Sequence, residues 1–107
     1  MKLRLGEVVP VRMEFHQIAG GKVRPAVVLL DAGDDDFVAA PVTSRPRLSD
    51  YDLRIAEWKM SGLNAPSFIR VHKLTVLPKS AVARQLGSLT GPDRDALMRI
   101  LARAFRD

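Results

Sequence analysis

The chain has 107 residues, enough for one domain with a real hydrophobic core and too few for a second domain of ordinary size. Lys and Arg total 17 against 12 Asp and Glu, and the formal net charge of +5 favours an anionic partner such as nucleic acid. With no cysteine, disulfides, thiolate metal sites and cysteine nucleophiles are excluded, and a reducing compartment, the cytoplasm, is the expectation.

Met1-Lys2-Leu3-Arg4-Leu5 is not followed by the apolar segment of an export signal, and no run approaches the roughly 18 apolar residues of a membrane span, so neither export nor insertion is expected. Val8-Val9-Pro10-Val11-Arg12 reads as a strand, and its internal proline predicts an edge or bulged position. Residues 14–22 are polar and glycine-bearing and contain His16 and Gln17, which predicts a flexible connection.

The stretch Gly20-Gly21-Lys22-Val23-Arg24-Pro25 then gives way to Ala26-Val27-Val28-Leu29-Leu30. Glycines free the backbone, proline starts a strand without offering a ladder donor, and the β-branched run fits a packed sheet, so Arg24 stands at a rigid strand entrance. A turn at Ala32-Gly33-Asp34-Asp35-Asp36 predicts an antiparallel hairpin with Phe37-Val38-Ala39-Ala40-Pro41-Val42. Its three aspartates read as solvated, because no second carboxylate cluster completes an oxygen cage. The second strand ends in Thr43-Ser44-Arg45, so two neighbouring strands present guanidinium and hydroxyl groups together, a combination suited to phosphate.

Residues 44–50 read as mobile surface, Tyr51-Asp52-Leu53-Arg54-Ile55 as a short half-exposed strand, and 57–66 as a turn-rich crossing with Trp58 as a lid on the core. A longer strand is predicted over 68–74, with Ile69 and Val71 on one face and Arg70 and His72 on the other. Short strands follow at Val76-Leu77 and Ala81-Val82-Ala83. The period then changes: Thr90-Gly91-Pro92-Asp93 predicts a capping box that opens a helix over 92–105, with Leu97, Ile100, Leu101, Ala104 and Phe105 on its buried stripe and arginines on the rest. Five to seven short strands and one terminal helix predict a small, strongly curved antiparallel barrel, mainly β with α+β character.

Five segments in order, Gly6-Glu7-Val8-Val9, Gly21-Lys22-Val23-Arg24-Pro25-Ala26-Val27-Val28, Val42-Thr43-Ser44, Gly62-Leu63 with Pro66-Ser67-Phe68-Ile69-Arg70, and Leu86-Gly87-Ser88-Leu89 before a helix, resemble the PemK/MazF family of toxin-antitoxin ribonucleases over nearly the whole chain. The resemblance implies one SH3-like barrel domain over residues 1–107 that dimerises, cuts single-stranded RNA such as mRNA without metal or cofactor, and is neutralised by a cognate antitoxin protein. It also implies that Arg24 and Thr43 form the catalytic pair.

Attack of a ribose 2′-hydroxyl on its own phosphate needs a proton acceptor, a proton donor for the leaving oxygen, and donors for the phosphorane. Arg24 suits the last task; as a base or acid it would need an unusually desolvated or cationic site, toward which Lys22 contributes. His16, with an ordinary imidazole pKa of about 6.5, reads either as the base or as an exposed loop residue. Ser44 and Ser67 read either as groove residues or as side chains satisfying strand-end backbone. Lys22, Arg45, Arg47, Ser67 and Arg70 are the candidate RNA contacts. Phe15 reads as a stacking platform or as packing. Two rival readings stand: a catalytically silent RNA- or antitoxin-binding module of the same fold, and a CcdB-like gyrase inhibitor. The latter acts through a Trp-Gly-Ile terminus, whereas this sequence ends Ala104-Phe105-Arg106-Asp107.

Overall fold

Three long strands carry the architecture: β1 (Glu7–Phe15), β2 (Ile18–Leu30) and β3 (Asp36–Thr43), paired antiparallel as consecutive hairpins. The computed structural model describes residues 1–15, 18–84 and 86–106, with the backbone alone over 13–15 and 18–22. The shorter strands are β4 (Asp52–Arg54), β5 (Phe68–Arg70), β6 (Thr75–Pro78) and β7 (Gly87–Ser88), and the helix α1 spans Gly91–Ala104. The sheet runs in the order β4-β5-β3-β2-β1-β7, with β6 on β3. The result is an antiparallel half-barrel with one C-terminal helix, as the strand and helix pattern predicts.

Alternate residues of the central strands enter two separate cores. Val8, Val27 and Ala40 pack on one face with Ile55, Ile69, Val71 and Leu97, while Val9, Val11, Ala26, Val28 and Ala39 pack on the other with Leu3 and Phe37. Both faces of these strands are buried, which is why they read as continuous apolar runs. Leu97 of α1 is fully buried in the first core, and Trp58 packs on it as a partly buried lid.

Several expectations are corrected. β1 is flanked on both sides, by β2 and β7, although its β7 ladder covers only Glu7 and Val8, followed by a single bridge from Val11 to Val82. Pro10 is tolerated because its carbonyl accepts the N–H of Ala83 at 3.0 Å, turning that residue's hydrogen-bonding edge away from β2, where it stands opposite Pro25. Neither proline has to donate across that pair. The described part of the predicted flexible connection over 14–22 is strand, whereas His16 and Gln17 lie outside the described residues.

The predicted strand over 68–74 stops at Arg70, and Val71–Lys73 form a single 3-10 turn. The interruption falls opposite Pro41, which has no N–H to donate, between the Val42↔Ile69 and Ala39↔Thr75 pairs, so β5 and β6 run along one edge of β3 with the turn between them.

At the helix start Thr90 makes no side-chain cap bond; the Asp93 carboxylate instead accepts the backbone N–H groups of Ala56 and Glu57, each at 2.9 Å. Phe105 follows the last helical residue and is 73% exposed, so it leaves the apolar stripe. Arg103, on the polar face, donates to the Asp50 carbonyl and lies 5.5 Å from the Tyr51 ring. In the aspartate turn, Asp34 Oδ1 accepts the N–H of Asp36 at 3.0 Å, a local turn contact among exposed side chains.

Candidate active site

The β2–β3 ladder reaches Ala26↔Pro41 and ends there. Arg24 and Thr43 each stand two residues beyond that pair on their own strands, and period-two alternation puts them on the same sheet face as Ala26 and Pro41. Arg24 is opposite Val11 of β1 and exposed; Thr43, half-buried, is opposite Phe68 of β5. Where the ladder stops, the surface opens into a cleft of about 420 Å³ lined by both residues and by Ser44 and Ser67.

Thr43 Oγ1 accepts the backbone N–H of Arg45 at 3.1 Å. The bond orients the oxygen and leaves the hydroxyl hydrogen available for donation into the cleft. Ser67 is buried and its hydroxyl donates to the Ala65 carbonyl at 2.8 Å, so this side chain satisfies local backbone. Ser44 is exposed at the cleft.

Besides Pro10 of β1, the rest of the lining comes from two segments held at backbone contact. Gly62 has φ +88°, and a Cβ there would meet the Leu86 carbonyl oxygen at 2.6 Å; a Cβ on Gly87 would meet the Ser61 carbonyl oxygen at 2.6 Å. Only glycine permits this approach from both sides, and it sets Asn64 and Arg84 into the same cleft. Neither residue was singled out by sequence reasoning. Asn64 follows the recognisable Gly62-Leu63 pair, but Arg84 is delivered by pairing with β1, for which no local pattern exists.

Arg45, exposed, borders the cleft through its bond to Thr43. Arg47 and Arg70 are not among the lining residues. Arg70 Nε is 3.0 Å from Asp52 Oδ1, and its terminal nitrogen is 3.4 Å from His72 Nε2. Burial pushes the Asp52 carboxyl up, but the Ser49 hydrogen bonds and the Arg70 guanidinium outweigh it and hold the group below the ordinary carboxylate value. His16 and the side chains of Lys22 and Phe15 lie outside the described residues.

Among the described lining residues the ionisable side chains are Arg24 and Arg84, with no carboxylate or imidazole. The cleft is therefore a concentrated positive site edged by hydroxyl and amide donors, suited to a phosphodiester and to extra negative charge developing on it. Among the described residues, no group of three or more His, Cys, Asp or Glu is placed to hold a metal ion, and no helix is long and apolar enough to cross a membrane.

The fold is a small antiparallel half-barrel with an arginine and a threonine just beyond the end of its β2–β3 ladder. The chain belongs to the PemK-like, MazF-like toxins of type II toxin-antitoxin systems, whose sequence model matches residues 4–105. The fold is similar to that of the Mycobacterium tuberculosis toxin MazF-mt6, with a TM-score of 0.76 at 21% identity over 92% of this chain and 95% of that one. It is also similar to an endoribonuclease in complex with its cognate antitoxin from a mycobacterial species, with a TM-score of 0.77 at 17% identity over 96% and 94% of the two chains. MazF in a MazE-MazF crystal structure from Deinococcus radiodurans has a TM-score of 0.74 at 21% identity over 94% and 92%. The curated proteins include no match to the sequence.

Proposed function

We propose that this toxin is an endoribonuclease that cuts single-stranded RNA, mRNA included, without a metal or cofactor. The ribose 2′-oxygen bonds to the adjacent phosphorus and the bond from phosphorus to the 5′-oxygen breaks, leaving a cyclic phosphate and a 5′-hydroxyl. Arg24 holds the non-bridging oxygens with its planar fork, and Thr43 donates its hydroxyl as negative charge develops. The proton of the 2′-hydroxyl goes to His16, to a guanidine held neutral by its desolvated, cationic surroundings, or to solvent, and a proton returns to the 5′-oxygen. Ser44 and Arg45 flank the site, and Lys22, Arg47 and Arg70 extend the basic surface for the RNA backbone.

The observation that carries this reading is the opening of Arg24 and Thr43 onto one positively charged cleft. The family and the antitoxin complexes of similar toxins support a cognate antitoxin as partner, and homodimeric assembly and action in the cytoplasm belong to the same proposal. The test is digestion of several RNAs in EDTA with end mapping, comparing wild type with Arg24→Ala and Thr43→Ala. Discrete cuts by wild type alone are the expected result; no cuts in any RNA at micromolar protein would overturn it.

A second reading, RNA binding without turnover, draws on the absence of a carboxylate or imidazole among the described lining residues. It is favoured if RNA binds, weakens steeply with salt, and is never cut.

A further inference from the structure

Arg84 is an exposed cation in the cleft with no carboxylate within salt-bridge distance among the described residues. Its position is nevertheless fixed. The N–H of Ala83 donates to the Pro10 carbonyl and that of Leu86 to the Val8 carbonyl, both at 3.0 Å, so the segment is pinned to β1 on either side of Arg84. The Gly62–Leu86 and Gly87–Ser61 approaches lock the same segment against the 61–65 loop. Arg24 therefore enters the cleft from β2 and Arg84 from beyond the other edge of β1, with Pro10 between them in the lining.

Two guanidiniums in one cleft repel each other unless an anion neutralises both. The volume of about 420 Å³ lies within the range of ligand-sized pockets and exceeds the needs of a single phosphate group. A chain of phosphates can offer one group to each cation. We propose that Arg84 holds the phosphate next to the one being cut, and is a positioning residue that grips the RNA backbone while Arg24 serves the reacting phosphate. The proposal rests on the reading of the cleft as an RNA site.

The test separates binding from chemistry. The binding probe is a short mixed-sequence RNA with fluorine in place of every 2′-hydroxyl, which keeps the phosphates and lacks the nucleophile. By fluorescence anisotropy Arg84→Ala weakens binding about tenfold, the scale of one lost charge-assisted contact. The log–log salt slope becomes shallower by about 0.7, as for one fewer phosphate contact on a single strand. Arg84→Lys recovers most of the affinity, because a point charge still attracts phosphate. With cleavable RNA the loss in Arg84→Ala falls on KM rather than kcat, and its thermal melt matches wild type.

Wild-type affinity and salt slope in Arg84→Ala overturn the proposal, whether or not wild type cuts RNA. A fall in kcat at unchanged KM also overturns it, by making Arg84 catalytic. So does a lowered melting temperature that lysine fails to restore. If wild type binds the fluorinated RNA but cuts no natural RNA, the cleavage reading falls while the Arg84 assignment stands on the binding data; if wild type does not bind the fluorinated RNA, the Arg84 assignment falls, and the cleavage reading falls with it only when natural RNA is not cut either.

Discussion

The Asp93 carboxylate, in the first turn of α1, accepts the backbone N–H of Ala56 at 2.9 Å across 37 positions of sequence. Its second oxygen accepts the N–H of Glu57 at 2.9 Å, and the residue is buried. The helix is thus fastened to the chain just after β4 by two charge-assisted bonds as well as by Leu97. Asp93→Ala leaves two backbone donors without their partner and is expected to cost about 2 to 4 kcal/mol in urea unfolding. Asp93→Asn, which keeps one acceptor, should cost less. A loss below about 1 kcal/mol for alanine would show that water replaces the carboxylate freely.

Asp31 fastens another part of the fold. Its carboxylate accepts the N–H of Leu3 and that of Gly33, each at 2.8 Å, and lies 3.0 Å from Lys79 Nζ. The Leu3 N–H bond, then Lys79, then the Gly33 N–H lower its pKa from 3.8 to about 2. A carboxylate with a depressed folded pKa contributes stability that is complete above the unfolded value and is lost as pH falls through the folded one. The contribution of Asp31 is therefore present above pH 3.8 and disappears as pH falls toward about 2. Urea midpoints measured across that window should fall less steeply in Asp31→Asn than in wild type, and the variant should be the less stable of the two at neutral pH. Equal acid slopes would remove Asp31 from the account.

The central hairpins were legible because their burial is local in sequence: Ala26-Val27-Val28 and Val38-Ala39-Ala40 lie in strands packed on both faces, and an unbroken apolar run is the mark of that environment. Arg24 and Thr43 could be placed together because a hairpin fixes its own register. Contacts between distant segments were not legible. Asp93 has the spacing of a capping box, yet its oxygens bond to residues 56 and 57, a choice that depends on where β4 delivers the chain. Val71 keeps the burial predicted for a strand while its backbone turns, since the edge of β3 changes partner there. Arg84 enters the cleft only because residues 83 and 86 bond to β1.

Arg24 lies within β2 beyond the end of the β2–β3 ladder, its side chain is exposed, and among the described residues it has no salt-bridge partner, so the fold does not depend on that side chain. Arg24→Ala is expected to lower kcat by at least about a hundredfold, the scale of one lost donor to a developing oxyanion, with the thermal melt within a few degrees of wild type. Thr43→Ala should reduce kcat by a similar order, and the double variant should lose less than the product of the two effects, because both groups act on one transition state. Single-turnover cleavage of a mapped RNA checks this. A melt lowered by many degrees in Arg24→Ala would make the arginine structural.

Gly62 couples the fold to the cleft most directly. Alanine there would have to hold φ near +88° with its Cβ at 2.6 Å from the Leu86 carbonyl oxygen, a backbone atom that cannot swing aside. The left-handed conformation alone costs about 1 to 3 kcal/mol in a non-glycine residue. The collision adds to that unless the 61–65 loop withdraws from the 84–87 segment. Withdrawal would also shift Asn64 and Arg84 relative to Arg24. Gly62→Ala should therefore lose stability in urea unfolding and weaken binding of the fluorinated RNA, although the glycine offers the ligand no side chain. Gly33→Ala is the control: Gly33 has a similar φ of +100°, but its added Cβ meets nothing within 4 Å, and the turn lies outside the cleft lining. It should lose stability through backbone strain and bind RNA as wild type does. Equal RNA affinity in both variants would show that the Gly62 contact supports the fold without shaping the cleft.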